Sequence, residues 1–167
     1  MDWWEEPPLD FIPKIEQNPD LQTFLIDPHG MQGWLRPNCL HPPFDNRKAR
    51  QALLYMMDQV TYLAYAIGQS EYYRPCYSVF ACGGPYTTKI GAAPMTEHDL
   101  TKARQLVQES GYDGRPIVVL QPTDRPDMNA AAVVTRQRLE RLSASEVGFR
   151  SRAVKLRLSI SSPNYPR

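Results

Sequence analysis

Residues 42–53 read Pro42-Pro43-Phe44-Asp45-Asn46-Arg47-Lys48-Ala49-Arg50-Gln51-Ala52-Leu53, and no other stretch restricts the fold so tightly. A stiff Pro-Pro turn delivers an aromatic anchor, and a helix is expected directly after it. Asp45 stands where the N-cap belongs: its carboxylate suits both the orphan amides and the positive end of a first turn. From there apolar residues fall at Ala49, Ala52, Leu53, Met56, Met57, Val60, Leu63, Ala64 and Ile67. This i, i+3, i+4, i+7 stripe predicts one long helix with a buried face, Met56 and Met57 within it. Arg47, Lys48 and Arg50 fall on its solvated side.

Strands and helices alternate elsewhere. Residues 2–5 read as a short strand, and Pro7-Pro8 opens a helix that holds Pro13 in its first turn or kinks there. Residues 21–26 and 31–35 read as strands around an Asp27-Pro28-His29-Gly30 turn. A Tyr-, Pro- and Gly-rich excursion over 68–95 has little periodicity and is long enough to imply a functional or partner-covering role. Thr96 is expected to cap the next helix, which uses Leu100, Ala103, Leu106 and Val107 and ends at Gly111. The apolar run at 117–120 suits a strand buried on both faces, and a last helix spans 127–142. The alternation predicts an α/β fold with a mixed, largely parallel sheet and packed helices.

Beyond Leu142 the character changes. Residues 1–142 hold 14 basic and 17 acidic side chains, whereas 143–167 hold 5 basic and 1 acidic. The chain therefore divides into a domain over 1–142 and a divergent or disordered basic tail over 143–167, in which the alternation at 154–160 fits a strand. The net charge of +1 gives no electrostatic reason to expect nucleic acid or an anionic membrane as partner. No apolar stretch approaches the roughly 18 residues of a membrane span. Met1 is followed by acids and tryptophans, unlike a secretory signal.

Catalytic signatures are missing: there is no Gly-x-Ser-x-Gly, no phosphate-cradling glycine loop and no metal-ligand pair at helical spacing. Three cysteines, Cys39, Cys76 and Cys82, argue against a simple disulfide framework. Cys76 and Cys82 either close a small ring or stand as two loop thiols, and no His lies near enough in sequence to suggest zinc. A hydrolase using either thiol with His98 is the one catalytic arrangement left to weigh. His29 and His41 lie in Pro/Gly loops that face solvent.

Four blocks, in order, carry a family resemblance. They are Asp2-Trp3-Trp4-Glu5-Glu6-Pro7-Pro8, then Gly33-Trp34-Leu35-Arg36-Pro37-Asn38, then the Pro-Pro-Phe-Asp-Asn signature through Arg50-Gln51-Ala52-Leu53 to Asp58. The fourth is Ala103-Arg104-Gln105-Leu106-Val107 with Glu109, Gly111 and Tyr112. Together they resemble the family 5 extracytoplasmic solute-binding proteins, the dipeptide-, oligopeptide- and nickel-type components of bacterial ABC importers. The resemblance implies part of lobe II of a two-lobed periplasmic binding protein. It implies an internal fragment without the first lobe, and a periplasmic location despite the missing signal.

The resemblance also implies binding without catalysis and without a cofactor. The partners it implies are a small peptide or similar solute and, for the complete protein, an ABC permease. The residues after the first matched Asp contact ligand in peptide-binding members, which nominates Trp4, Glu5 and Glu6. The strand before the signature runs beside the cleft and nominates Gly33 and Trp34. A Trp offers a flat apolar wall with one donor, and a carboxylate can hold an ammonium group. The plainer alternatives are core tryptophans and acids that merely suit a helix start. In a strand, Trp3 and Trp4 would face opposite ways, so only one could face the cleft. An exposed cleft face would also favour self-association. A non-transport protein-interaction module, derived from such a lobe, is the alternative function.

Overall fold

The computed structural model of the protein describes residues 3–5, 7–142 and 151–156. Asp2, Glu6 and most of the tail at 143–167 lie outside the described residues. Among the described residues six α-helices follow one another: α1 Ile12–Glu16, α2 Arg47–Met56, α3 Gln59–Ala66, α4 Ala93–Glu97, α5 Leu100–Glu109 and α6 Pro126–Leu142. Two strands, β1 Ile117–Pro122 and β2 Ser151–Leu156, pair in parallel, with Ile117 opposite Ser151 and Pro122 opposite Leu156. The connection through α6 makes this pair a β-α-β unit.

The core lies where α2 and α5 cross over β1 and α6. Ala49, Ala52, Leu53 and Met56 meet Ala103, Leu106 and Val107, with Ile117, Leu139 and Leu142 completing the cluster. Three alanines at this contact, each fully buried, let the helix backbones approach closely. Phe44 anchors against the cluster, as does half-buried Met57. Arg50 differs from its expected solvated role: its Nη1 donates to the carbonyls of Phe44 at 2.7 Å and Asp45 at 2.9 Å, fixing the turn that feeds α2.

The long helix of the sequence reading is two helices. Asn46, not Asp45, caps α2, its Oδ1 accepting the Lys48 N–H at 2.8 Å. Its Nδ2 donates to the Ser110 carbonyl at 3.1 Å, which joins the start of α2 to the end of α5 and favours Asn over a carboxylate. The chain then leaves the helix at Met57, and Asp58 caps α3 by accepting the Thr61 N–H. No residue of α3 is fully buried, so the stripe from Val60 to Ile67 does not extend the core.

Asp99, rather than Thr96, caps α5 by accepting the amides of Thr101 and Lys102, because His98 at φ +50° ends α4 first. Gly111 at φ +69° closes α5 as expected. Pro13 sits in the first turn of α1. Residues 3–5, 21–26 and 31–35 form no strand, so the sheet among the described residues has two strands rather than the larger one expected. Nor is β1 buried on both faces: Ile117 and Gln121 face inward, while Val118 is 54% and Leu120 60% exposed. The molecule is a helix-rich α/β unit. No helix of the described residues is long and apolar enough to cross a membrane.

Candidate functional site

Of the nominated ligand residues, Trp4, Glu5, Gly33 and Trp34 lie on the N-terminal limb, the described residues of 3–40, outside the helical body. Among its described residues only Ile12 is buried. Trp4 is 51% exposed and its ring stands 6.0 Å from Phe11 at a 57° tilt. Lys14 Nζ sits 5.6 Å from the Phe11 ring centroid, so the three side chains form a small aromatic-cationic stack. Glu5 is exposed beside it. Because 3–5 is not a strand, its side chains need not alternate between faces, and Trp3 and Trp4 are both exposed.

Trp34 is 65% exposed, next to Gly33. A Cβ added at Gly33 would meet nothing within 4 Å, so no crowding among the described residues demands glycine there. Phe24, Leu25, Ile26, Met31 and Leu35 extend the exposed apolar strip. Trp3 and Trp34, weighed as core residues, are both exposed among the described residues, as is Trp4. The structure does not join the two halves: no hydrogen bond, ion pair or ring contact links Trp4 or Glu5 to Gly33 or Trp34 among the described residues. Glu6 lies outside the described residues.

Two features stand apart from the nominated residues: a polar network that escaped the sequence reading, and the small ring that the 76–82 spacing offered as one of two alternatives. In the first, Arg138 Nη2 donates to Asp58 Oδ2 at 2.6 Å and to Thr61 Oγ1 at 2.8 Å, and the Thr61 hydroxyl donates to the same carboxylate at 2.6 Å. Tyr62 Oη adds a bond to Thr135 Oγ1 at 3.1 Å. Burial works to raise the Asp58 carboxyl, but the Thr61 hydroxyl and amide and the Arg138 guanidinium outweigh it and hold it below its ordinary value. Burial pushes the Tyr62 phenol up. Polar bonds therefore help fasten α3 to α6. The Asp-x-x-Thr spacing at 58–61 was the legible sign of a fresh N-cap.

In the second, Cys76 and Cys82 form a disulfide with Cα atoms 5.8 Å apart, which removes the thiol that the hydrolase alternative required. His98 is committed elsewhere: its Nδ1 donates to the Met57 carbonyl at 2.6 Å. Cys39 is free and exposed. No group of three or more His, Cys, Asp or Glu among the described residues could hold a metal ion. A concavity of about 300 Å³ lies between α2, α4 and α5, lined by Leu54, Tyr55, Pro94 and Leu106, and no nominated residue reaches it.

The profile of the "Bacterial extracellular solute-binding proteins, family 5 Middle" matches residues 1–145. The chain belongs to this family 5 of bacterial extracellular solute-binding proteins. Among family 5 relatives, the Sinorhizobium fredii protein named "Probable peptide ABC transporter periplasmic-binding protein y4tO" is 36% identical over 146 residues, 87% of this chain and 28% of the relative. The "Glutathione-binding protein GsiB" of Escherichia coli K12 is 30% identical over 98 residues, 59% of this chain and 18% of that one. The crystal structure of the ABC transporter substrate binding protein CtaP from Listeria monocytogenes matches 70% of this chain and 22% of its own. Its TM-score is 0.59 at 25% identity. The chain thus spans less than a third of the length of each of these relatives. They are named for binding and transport, not for catalysis.

Proposed function

We propose that this family 5 chain supplies one wall of a peptide-binding cleft in the solute-binding protein of an ABC importer. The observation that carries the reading is the limb. It holds the nominated Trp4, Trp34 and Glu5 in the open, apart from the core, in a chain whose 36%-identical relative is named for peptide transport. The tryptophans would line pockets for variable side chains. Glu5 and Glu6 would hold a cationic group, such as a peptide's ammonium terminus, through charge-assisted hydrogen bonds. Gly33 leaves open space beside Trp34 into which a ligand backbone fits. Closure of a second lobe would strengthen these bonds by excluding water.

On this reading residues 1–142 belong to lobe II, whose wider sheet involves chain beyond the described residues. The assembled protein works in the periplasm and delivers solute to a membrane permease. The test is a chimera in which this sequence replaces the matched 146 residues of y4tO. Specific ligands must raise its thermal midpoint by mass action. A midpoint that rises with a pool of short peptides, and stops rising in Trp4→Ala/Trp34→Ala, supports the reading. A chimera that melts cooperatively but ignores peptide overturns it. So does a micromolar peptide Kd for the 167-residue chain alone, because one wall would then be enough.

The exposed strip from Phe24 to Leu35 favours one second reading, a protein-interaction module that self-associates through this face. Light scattering separates the two: a monomer at high concentration removes it.

A further inference from the structure

The excursion between α3 and α4 does more than connect helices. At one end the Tyr72 hydroxyl donates to Glu16 Oε1 at 3.3 Å, reaching α1. Arg74 Nη2 donates to the Cys82 carbonyl at 2.6 Å and to the Pro28 carbonyl at 3.4 Å. Gly83 stands at φ +91°, and a Cβ there would meet the Arg74 guanidinium and the His29 ring at 3.5 Å each. Two separate segments, Pro28–His29 and Cys82–Gly83, therefore converge on Arg74. The far end is clamped by Gln59 in the first turn of α3. Its Oε1 accepts the Cys76 N–H and its Nε2 donates to the Cys76 carbonyl, both at 2.7 Å.

A continuous path thus runs from α3 through Gln59, Cys76, the disulfide, Cys82 and Arg74 to the Asp27–Gly30 turn, just before Gly33 and Trp34. The limb has one buried side chain of its own, so its polar pins decide where it sits. A covalent bond across the 76–82 ring holds the Cys82 carbonyl near the Gln59 clamp at little entropic cost to the native state. Arg74 serves both carbonyls from one nitrogen, Nη2, whose two N–H groups each find an acceptor.

We propose that Tyr72 and Arg74 are positioning residues which, braced by the Cys76–Cys82 disulfide, hold the limb bearing Trp4, Glu5, Gly33 and Trp34 against the helical body. The bracing stands on its own contacts; its consequence for ligand rests on the reading of the limb as a cleft wall. Millisecond-resolved hydrogen exchange on the full 167-residue chain tests it. The amides of His29 and Gly30, bonded to Asp27 Oδ1 at 2.8 Å and to the Asp27 carbonyl at 3.2 Å, report the turn. The amides of α2 and α5 report the core.

Arg74→Met and the double variant Cys76→Ser/Cys82→Ser are expected to speed exchange at the turn by about tenfold, the scale of one lost hydrogen bond. Tyr72→Phe should do the same in α1. The core amides should not change, and Arg74→Lys should fall between wild type and Arg74→Met. Limb exchange equal to wild type in all variants overturns the proposal. So does a rise shared equally by the core, which would be plain destabilisation.

Tryptophan fluorescence titrations of the same variants in the y4tO chimera, with lysyl-alanyl-alanine as probe, separate the two claims. Faster limb exchange with a weakened peptide response supports both. Faster limb exchange with an unchanged response upholds the strut and overturns the cleft-wall reading.

Discussion

The helical body and the N-terminal limb are held together by different physics. The body has a continuous apolar cluster in which Met56, Val107, Leu139 and Leu142 are almost wholly removed from water. Each such side chain contributes about 1.5–3 kcal/mol through burial. The limb keeps Trp4, Phe24, Leu25 and Trp34 in the open and is pinned by Tyr72 and Arg74. Helix α3 is intermediate, fastened by an ion pair and two hydroxyls without a buried residue. On the proposed cleft-wall reading, the apolar body would keep the shape while the limb would meet the ligand.

The contrast breaks most severely at its core. Leu139→Ala should cost about 3 kcal/mol, because transfer energy and a residual cavity add; urea unfolding would show it as a lower midpoint at unchanged slope. Next comes Asp58→Asn, at about 2 kcal/mol, since Arg138 loses a charged partner inside a partly buried network. Equal stability for that variant would mean α3 is held by something other than its polar bonds. The same site predicts a pH dependence. Asp58 binds its proton less readily when folded, so its contribution is fully present above the unfolded value of about 3.9 and is lost as pH falls through the depressed folded value. Wild type should therefore lose stability below about pH 4 more steeply than Asp58→Asn in urea titrations at stepped pH.

Smaller effects sharpen the other half of the contrast. Gly83→Ala forces an alanine to φ +91° and should cost about 1 kcal/mol, felt in limb exchange before global unfolding. Trp34→Ala should change the urea midpoint by less than about 0.5 kcal/mol, as an exposed side chain does. A larger loss would show that Trp34 is a structural residue and would weaken its place in the cleft wall.

The sequence was most legible where periodicity and burial coincide. The stripe from Ala49 to Met56, the Leu100–Val107 face, the Gly111 terminus and the last helix all stand as read, because each element buries the side its pattern marks. It misled where one pattern covered two elements. Val60, Leu63 and Ile67 continue the period of α2, yet Asp58 starts a new helix whose attachment is polar. The strands expected at 21–26 and 31–35 failed for another reason: apolar runs mark a strand only when a partner strand and a covering layer are present. The nominated tryptophans came from resemblance alone. Their exposure fits that nomination, but Arg74 and Gln59, which act on backbone carbonyls and amides far along the chain, leave no local pattern to read.

The parallel pairing of β1 with β2 also sets a timetable. Ile117 must wait for Ser151, 34 positions later, before its backbone finds a partner. At a synthesis rate of roughly 5–20 residues per second, that delay is about 2–7 s. During it, β1 keeps an unpaired backbone edge. Helices α2 and α5 lie within residues 47–109, so their mutual contact needs no such wait. The growing polypeptide therefore carries an open strand edge after these two helices have met, and that edge is a target for a holding chaperone.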